Sequence, residues 1–194
     1  MSSKTEQKKQ WIVERAVDVF AKKGYKLVSM KDLVDAAEIS RGGLYLYFSS
    51  VEEVFLAVLE QADLKNGEDF SAEQLQGASN TEILFYFLKL QKKQILNYKK
   101  SLLLSKMEYQ FWCKQEKKPC VLKKEKESER LILQKLLERG NQSGEFSCAC
   151  PKEEAVHITY VLEGMKLTAC TIGISEKKID EEFLLLMQGF VLES

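Results

Sequence analysis

The sequence predicts an all-α protein of about nine helices, because three features recur along its 194 residues. Apolar side chains return at three- and four-residue steps in almost every segment, which is the pattern of an amphipathic helix. Serines and prolines that favour helix starts, and glycines that favour helix stops, separate these segments. No segment shows the alternation of apolar and polar residues that is typical of a half-buried strand.

Composition excludes several classes of protein. With 45% hydrophobic and 30% charged residues, the chain is typical of a folded protein rather than a disordered one. No apolar run approaches the roughly 18 residues of a membrane span, and "MSSKTEQKKQW" lacks the apolar core of a secretory signal. We therefore expect a cytoplasmic protein whose five cysteines are reduced. Residues 1–50 hold nine Lys or Arg against six Asp or Glu, a mild positive bias toward an anionic partner.

The N-terminal part predicts four helices, each marked by a capping residue. These helices cover residues 7–23, followed by Gly24 as a left-handed cap; residues 29–37, opened by a capping box of Ser29 and Asp32; residues 40–48, capped by Ser40; and a fourth helix that begins with a capping box of Ser50 and Glu53.

The remainder predicts a link and five longer helices. Residues 66–80 are polar and contain two glycines, which favours a connection between domains. We expect helices over 81–99, 101–113, Pro119 to Gly140, Pro151 to about Thr171, and 176–191. The predicted organisation is a DNA-binding domain over 1–50, a connecting helix and loop over 51–80, and an effector-binding and dimerisation domain over 81–194.

The stretch "SRGGLYLYFSS", residues 40–50, carries the first functional signal. The two short helices before and within it have the outline of a helix-turn-helix, whose second helix enters the DNA major groove. Glycine costs about 1 kcal/mol in a helix, yet Gly42 and Gly43 stand in the first turn. Without Cβ atoms, the backbone could approach a duplex closely, and Tyr45 and Tyr47 could donate hydrogen bonds to phosphates. The alternative is a glycine loop beside half-buried tyrosines.

A longer pattern runs through residues 12–60. An apolar helix ends in F-A-x-x-G-Y, a short helix ends in A-A, I-S-R-G-x-L-Y-x-Y-F follows, and E-E opens the next helix. This pattern closely resembles the DNA-binding domain of TetR-family transcriptional regulators. The resemblance implies an Ω-shaped, all-helical homodimer in which three N-terminal helices bind an operator half-site. It also implies that the last two helices form a four-helix dimer interface and that a small effector releases the DNA.

The resemblance also assigns DNA contacts. Arg41 is one of four arginines in the chain and could bind a guanine edge or a phosphate, and its position favours phosphate. The expected contacts at the start of the second helix are Ser29 and Lys31, and those of the recognition helix are Ser40, Arg41, Gly42, Gly43, Tyr45, Leu46 and Tyr47.

Three positions depart from the family pattern. Glu38 stands where a glycine is common in the turn, so the turn must close without that backbone freedom. Val51 replaces a lysine that often contacts phosphate, which should weaken binding and lower its salt dependence slightly. Leu46 stands where a polar or aromatic residue is frequent, and could touch a thymine methyl group or read no base.

Aromatic residues are concentrated in the larger domain. They could line a pocket for a small apolar or aromatic effector, or could simply fill the core of a helical bundle. His157 is the only histidine, and the Cys148–Cys150 pair lacks the second pair of a typical zinc site, so no metal or cofactor is expected and a sensing role for these cysteines stays open. The charge run 114–130 mixes signs and favours a solvated helix face. The candidate pocket residues are Phe87, Gln91, Tyr98, Tyr109, Trp112, His157 and Tyr160.

The last two helices are apolar on more than one face, which favours burial against a second subunit. The alternative is that the core of one subunit buries them. The candidate interface residues are Gly164, Thr168, Ala169, Leu184, Leu185, Met187, Gln188 and Val191.

These signals predict a homodimeric DNA-binding repressor that an effector releases from its operator. The alternative is an effector-independent DNA-binding dimer whose C-terminal domain is a dimerisation or protein-interaction scaffold. An enzyme is not expected, because the sequence has no nucleophile motif, phosphate-binding glycine loop or metal-ligand cluster.

Overall fold

The computed structural model describes residues 4–69 and 77–191, and in these ranges it is all-α, as the sequence predicts. The β pairing within the described residues is limited to one isolated antiparallel bridge between Phe146 and Val191. No helix in these ranges is long and apolar enough to span a bilayer.

The nine helices of the described ranges are α1 Lys4–Lys23, α2 Met30–Ala37, α3 Arg41–Tyr45, α4 Val51–Asp69, α5 Asn80–Leu96, α6 Leu103–Gln115, α7 Leu122–Ser143, α8 Pro151–Thr171 and α9 Glu176–Gln188, with a 3-10 turn at Tyr98–Lys100.

The helices belong to two compact units. The N-terminal unit combines α1–α4 with α6, and the C-terminal unit combines α5 with α7, α8 and α9. The chain therefore passes from the N-terminal unit to the C-terminal unit, returns for residues 99–118, and leaves again.

The core of the N-terminal unit is built from apolar side chains of its helices. Leu44, Phe48 and Phe55 are buried together with Phe20, Ala16 and Leu33. An aromatic cluster extends this core, with its ring centroids 4.7 to 6.4 Å apart. Burial, and next the nearby Glu52 carboxylate, raise the pKa of the tyrosine at position 25 in this cluster. The aromatic cluster consists of Phe20, Tyr25, Phe55, Tyr109 and Trp112.

Capping residues fix the starts of α2 and α4. The predicted capping box of Ser29 and Asp32 is present, and the Lys23 ammonium, 2.6 Å from Asp32 Oδ1, is the largest factor that lowers the pKa of Asp32 to about 2. At α4, Ser50 Oγ accepts the Glu53 N–H as expected, but the Glu53 carboxylate accepts from Ser49 N–H and Oγ–H instead of Ser50. The predicted second half of that box is therefore shifted by one residue.

Several predicted helix boundaries differ from the structure, including the end of α7 and the end of α4. Helix α7 continues past Gly140 to Ser143, and Gly144 at φ +77° is its left-handed cap. Gly140 is a glycine for packing, because a Cβ there would overlap the Phe146 ring. Helix α4 runs to Asp69, so residues 66–69 of the predicted link are helical, whereas 70–76 lie outside the described residues.

Two partly buried carboxylates organise the C-terminal unit. Glu145, just after α7, accepts hydrogen bonds from Thr81 N–H, Asn80 and Ser143, which lower its pKa to about 2 and hold this loop at the start of α5. Glu163 on α8 pairs with Lys126 of α7 and with Lys166. These contacts join α5, α7 and α8 through charge as well as through apolar packing.

Candidate nucleic-acid interface

Helices α2 and α3 form the predicted helix-turn-helix, with a shorter second helix than expected. Ser40 caps α3 by accepting the Gly43 N–H at 3.0 Å. The helix ends at Tyr45 instead of continuing to residue 48, since the N–H groups of Tyr47 and Phe48 both donate to Leu44 O at 3.0 Å. This shared acceptor closes a tight turn and turns Phe48 into the core.

The two glycines have different reasons to be glycine. Neither has a positive φ, so the backbone conformation requires no glycine at either position. A Cβ at Gly43 would lie 3.1 Å from Ser40 Oγ, so the capping bond explains that glycine. A Cβ at Gly42 would meet no described atom of the chain within 4 Å, and Gly42 is exposed. No contact within the described chain therefore accounts for the missing side chain of Gly42.

The other predicted DNA contacts surround this exposed backbone. Arg41 is exposed, and its guanidinium carbon lies 5.6 Å from the centre of the Tyr45 ring. Leu46 is 82% exposed. Lys31 is exposed on α2, and Tyr47 is half-buried. The hydroxyl groups of Ser29 and Ser40 are exposed at the helix starts, where both serve as caps.

The turn between the two helices is strained at Glu38. This residue has φ +54° and ψ +45°, the left-handed conformation that glycine adopts at no steric cost. Its N–H bonds to Asp35 O at 3.4 Å, and the N–H of Ile39 bonds to Val34 O at 3.3 Å, so the turn is held closed. The departure noted at Glu38 therefore falls on the position that needs backbone freedom.

Comparison with known proteins identifies the family. The model of bacterial regulatory proteins of the tetR family matches residues 12–58. The model of the tetracyclin repressor-like C-terminal domain matches residues 83–180. The chain belongs to the TetR family of transcriptional regulators. The family model describes bacterial regulatory proteins, and the relatives of this chain are transcriptional regulators rather than enzymes.

Similar proteins agree with this assignment. The chain is 53% identical over 49 residues to the HTH-type transcriptional regulator YfiR of Bacillus subtilis strain 168, covering 25% of this chain and 24% of that protein. It is 30% identical over 82 residues to the HTH-type transcriptional regulator QacR of Staphylococcus aureus strain Mu50, covering 42% and 44% of the two chains. The chain thus matches less than half the length of either relative.

Solved structures show the same fold over nearly the whole chain. A TetR transcriptional regulator from Chloroflexus aurantiacus J-10-FL has a TM-score of 0.78 at 20% identity. The match covers 98% of this chain and 99% of that chain. A transcriptional regulator from Saccharomonospora viridis, solved in complex with choline, has a TM-score of 0.79 at 18% identity. The match covers 97% of this chain and 100% of that chain. At these identities the likeness shows the fold alone.

The seven candidate pocket residues of this TetR-family chain lie in different surroundings. Phe87 and Gln91 are buried on α5 in the C-terminal unit, whereas Tyr109 and Trp112 belong to the aromatic cluster of the N-terminal unit. Tyr98 is half-buried in the 3-10 turn, and His157 and Tyr160 are exposed on α8. Two open grooves occur in the C-terminal unit, of about 450 and 310 Å³, and within the described residues neither is lined by any of the seven.

The candidate interface residues divide into buried and exposed sets. Ala169 and Met187 are buried within the subunit. Gly164, Leu184, Leu185 and Gln188 are exposed, whereas Thr168 and Val191 are half-buried. The larger groove lies beside them, and Gly164, Thr168 and Lys178 are among its lining residues. Both α8 and α9 therefore carry exposed candidate residues, and both helices line the larger groove.

Sequence reasoning missed the turn between α1 and α2. Lys26 and Leu27 are exposed there, Leu27 by 73%, and Lys26 N–H donates to a residue of α6 that is 82 positions away. No local signal marks such a distant contact.

Cys148 is buried, with Asn141 bonded to its N–H and C=O, and the described ranges contain no group of three or more His, Cys, Asp or Glu side chains that could hold a metal ion.

We expect Glu38→Gly to raise the free energy of unfolding by about 1 kcal/mol, because it removes the strain of a left-handed residue that carries Cβ. Denaturant unfolding followed by circular dichroism measures this change. Glu14→Gly, in the middle of α1, is the matched control and should be destabilising by about 1 kcal/mol. A loss of stability in Glu38→Gly would contradict the strained-turn account.

Proposed function

We propose that this regulator is a homodimeric repressor, acting on DNA in the cytoplasm, that a small effector releases from its operator. In this proposal residues 1–50 bind DNA, 51–80 connect, and 81–194 bind the effector and form the dimer. The observation that carries the DNA-docking part is Gly42, whose missing side chain has no explanation within the described chain. A duplex held against α3 explains it, because only a bare backbone leaves room for a closely approaching phosphate.

The recognition surface combines few base contacts with several phosphate contacts. Lys31 and Arg41 supply positive charge on either side of the turn, and Tyr45 and Tyr47 supply hydroxyl donors. Leu46, being 82% exposed, either meets an apolar group such as a thymine methyl or reads no base. Phosphate contacts release counterions, so operator binding should weaken as salt rises. Ser29, Ser40 and Gly43 complete the surface at the two helix starts.

A buried amide supports an effector site in the C-terminal unit. Gln91 is 8% exposed, and its Nε2 donates to Glu129 Oε1 at 3.1 Å. Because a carboxylate can only accept, this bond fixes which end of the amide is nitrogen. The opposite atom, Oε1, is buried and has no hydrogen-bond partner in the described part of the protein. A buried acceptor without a donor is unfavourable, so a donor group on the effector would stabilise it.

Comparison supports the same idea without identifying the effector. The C-terminal family model covers residues 83–180, and a structure with the same fold was solved in complex with choline. Phe87 lies one helical turn before Gln91 on α5 and is also buried, so an apolar wall and a polar group are adjacent. We assign the effector a small apolar body with at least one hydrogen-bond donor.

Dimerisation is assigned to α8 and α9. Leu184 and Leu185 are 55% and 61% exposed, and Leu167 on α8 is 49% exposed. Exposed leucines on neighbouring helices are favourable only when a partner covers them. A two-fold arrangement of these helices would bury the same surface in both subunits.

We expect Gly42→Ala to reduce operator affinity at least tenfold while leaving the fold intact. Its methyl group meets no described atom of the chain, and alanine favours a helix by about 1 kcal/mol over glycine, so thermal stability should stay equal or rise. Operator fragments selected from random DNA, followed by fluorescence anisotropy, provide the affinity. Ser128→Ala on α7, an exposed position outside both the DNA surface and the proposed interface, is the control and should keep wild-type operator affinity. Unchanged operator binding by Gly42→Ala would remove the basis of the docking model.

We expect Leu185→Glu to dissociate the dimer, because it places a charge in an apolar interface. Leu131→Glu on α7 is the matched control, since Leu131 is 57% exposed but lies outside the proposed interface. Multi-angle light scattering should give a monomer for the first variant and a dimer for the second. Equal masses for both variants would argue against the α8–α9 interface.

The effector proposal is separated from the scaffold alternative by a release experiment. Wild-type protein bound to its selected operator is exposed to a metabolite panel, and we expect one or more compounds to release it. Gln91→Leu, which fills similar volume without the amide, should bind operator normally but lose the response by at least tenfold. A panel without hits, together with normal DNA binding and a more stable Gln91→Leu variant, would favour the scaffold.

A further inference from the structure

A carboxylate from α6 holds the turn that leads into the helix-turn-helix. Glu108 Oε2 accepts the backbone N–H of Lys26 at 2.8 Å. Lys26 lies three residues before Ser29, the residue that caps α2 and opens the predicted DNA surface. Through this contact α6 holds the turn before α2 directly, in addition to any effect it has through α1.

The turn is shaped to receive this carboxylate. Gly24 has φ +76°, and a Cβ there would lie 2.5 Å from Glu108 Oε2 and 2.9 Å from its Cδ. Gly24 therefore serves two purposes, a left-handed helix end and space for a side chain from α6. The sequence predicts only the first purpose.

The helix that carries Glu108 is itself fixed to the N-terminal unit. Ser105 Oγ donates to Phe20 O at 2.7 Å, and both residues are buried. Tyr109 packs in the aromatic cluster, 5.0 Å from the Tyr25 ring. At the far end, the Lys118 ammonium contacts the Glu52 carboxylate of α4 at 2.7 Å. Glu108 thus projects from a rigid support, so its hydrogen bond positions the turn and not the reverse.

The charge of Glu108 has the wrong sign for a direct contact with DNA. The neighbouring Lys26 and Leu27 are exposed, and Lys31 is exposed on α2. A carboxylate beside such a surface repels phosphates and would weaken binding if charge were its only effect. A geometric role, in which the carboxylate accepts a backbone hydrogen bond, accounts for an acid at this place.

We propose that Glu108 is a positioning residue for DNA recognition, which holds the α1–α2 turn so that the start of α2 meets the phosphates. This inference rests on the proposed docking of α2 and α3 on DNA.

Three variants of Glu108 separate the effect of side-chain length from the effect of charge. Glu108→Gln keeps an acceptor oxygen at the same distance and loses the charge, so operator affinity should stay within about threefold of wild type. Glu108→Asp keeps the charge and shortens the side chain, and Glu108→Ala loses both, so each should lower affinity about tenfold, the effect of losing one charge-assisted hydrogen bond. Anisotropy titrations of the full-length dimer on its selected operator measure all three.

The salt dependence provides a second readout. Lys26→Ala leaves the backbone N–H in place and removes a cation, so it should lower the slope of log affinity against log salt by up to about 1. Glu108→Asp and Glu108→Ala should lower affinity with the slope unchanged, and hydrogen exchange at the Lys26 amide should accelerate in both. Thermal melts and light scattering confirm that the variants remain folded dimers.

The outcomes are distinguishable. If wild type selects no operator from random DNA, the docking proposal fails before Glu108 is tested. If wild type binds, but Glu108→Gln and Glu108→Ala both bind more tightly and Glu108→Asp equals wild type, then charge alone is at work and the positioning role is refuted. Should Glu108→Ala not fold, the Gln and Asp variants still decide the question.

Discussion

The recognition helix depends on being buried at two points. Helix α3 has five residues, far fewer than a helix needs to be stable by itself, so tertiary contacts must hold it. Leu44 is fully buried and Phe48 nearly so, and both belong to the core that contains Phe20 and Phe55. These anchors leave Arg41, Gly42, Tyr45 and Leu46 facing outward. The bare backbone at Gly42 can be presented rigidly because the opposite side of the same turn is packed against aromatic rings.

Local signals were sufficient to predict the helix-turn-helix. Capping at Ser29, Ser40 and Ser50 and the left-handed conformation of Gly24 all depend on neighbours within a few positions, and the structure confirms them. Boundaries that depend on distant partners were not predictable. Gly140 has the sequence signature of a helix end, yet it lies within α7 because the ring of Phe146 requires its surface.

In the larger part of the chain, the positions of aromatic residues in the sequence likewise do not show which distant residues they contact. Tyr109 and Trp112 have the spacing of one helix face, and a face of aromatics can line a pocket or fill a core. Their rings lie 5.7 Å apart beside Tyr25, a neighbour that no local pattern connects to them. Gln91 was selected as a polar residue among apolar ones, but the property that makes it informative, a buried acceptor without a donor, exists only in three dimensions. Sequence can therefore name candidates for the effector site without showing which of them share a surface.

Weak electrostatics make positioning matter more in this protein. Residues 1–50 carry a net charge of only +3, and Val51 stands where the family often has a lysine. With few cations available, each contact must be made at the correct distance, since counterion release supplies less of the binding free energy. A hydrogen bond that fixes the α1–α2 turn then gains influence over affinity, even though it comes from an acid. The strained turn at Glu38 is held closed by backbone hydrogen bonds, and in the proposed docking its path decides whether Lys31 and Arg41 reach the duplex together.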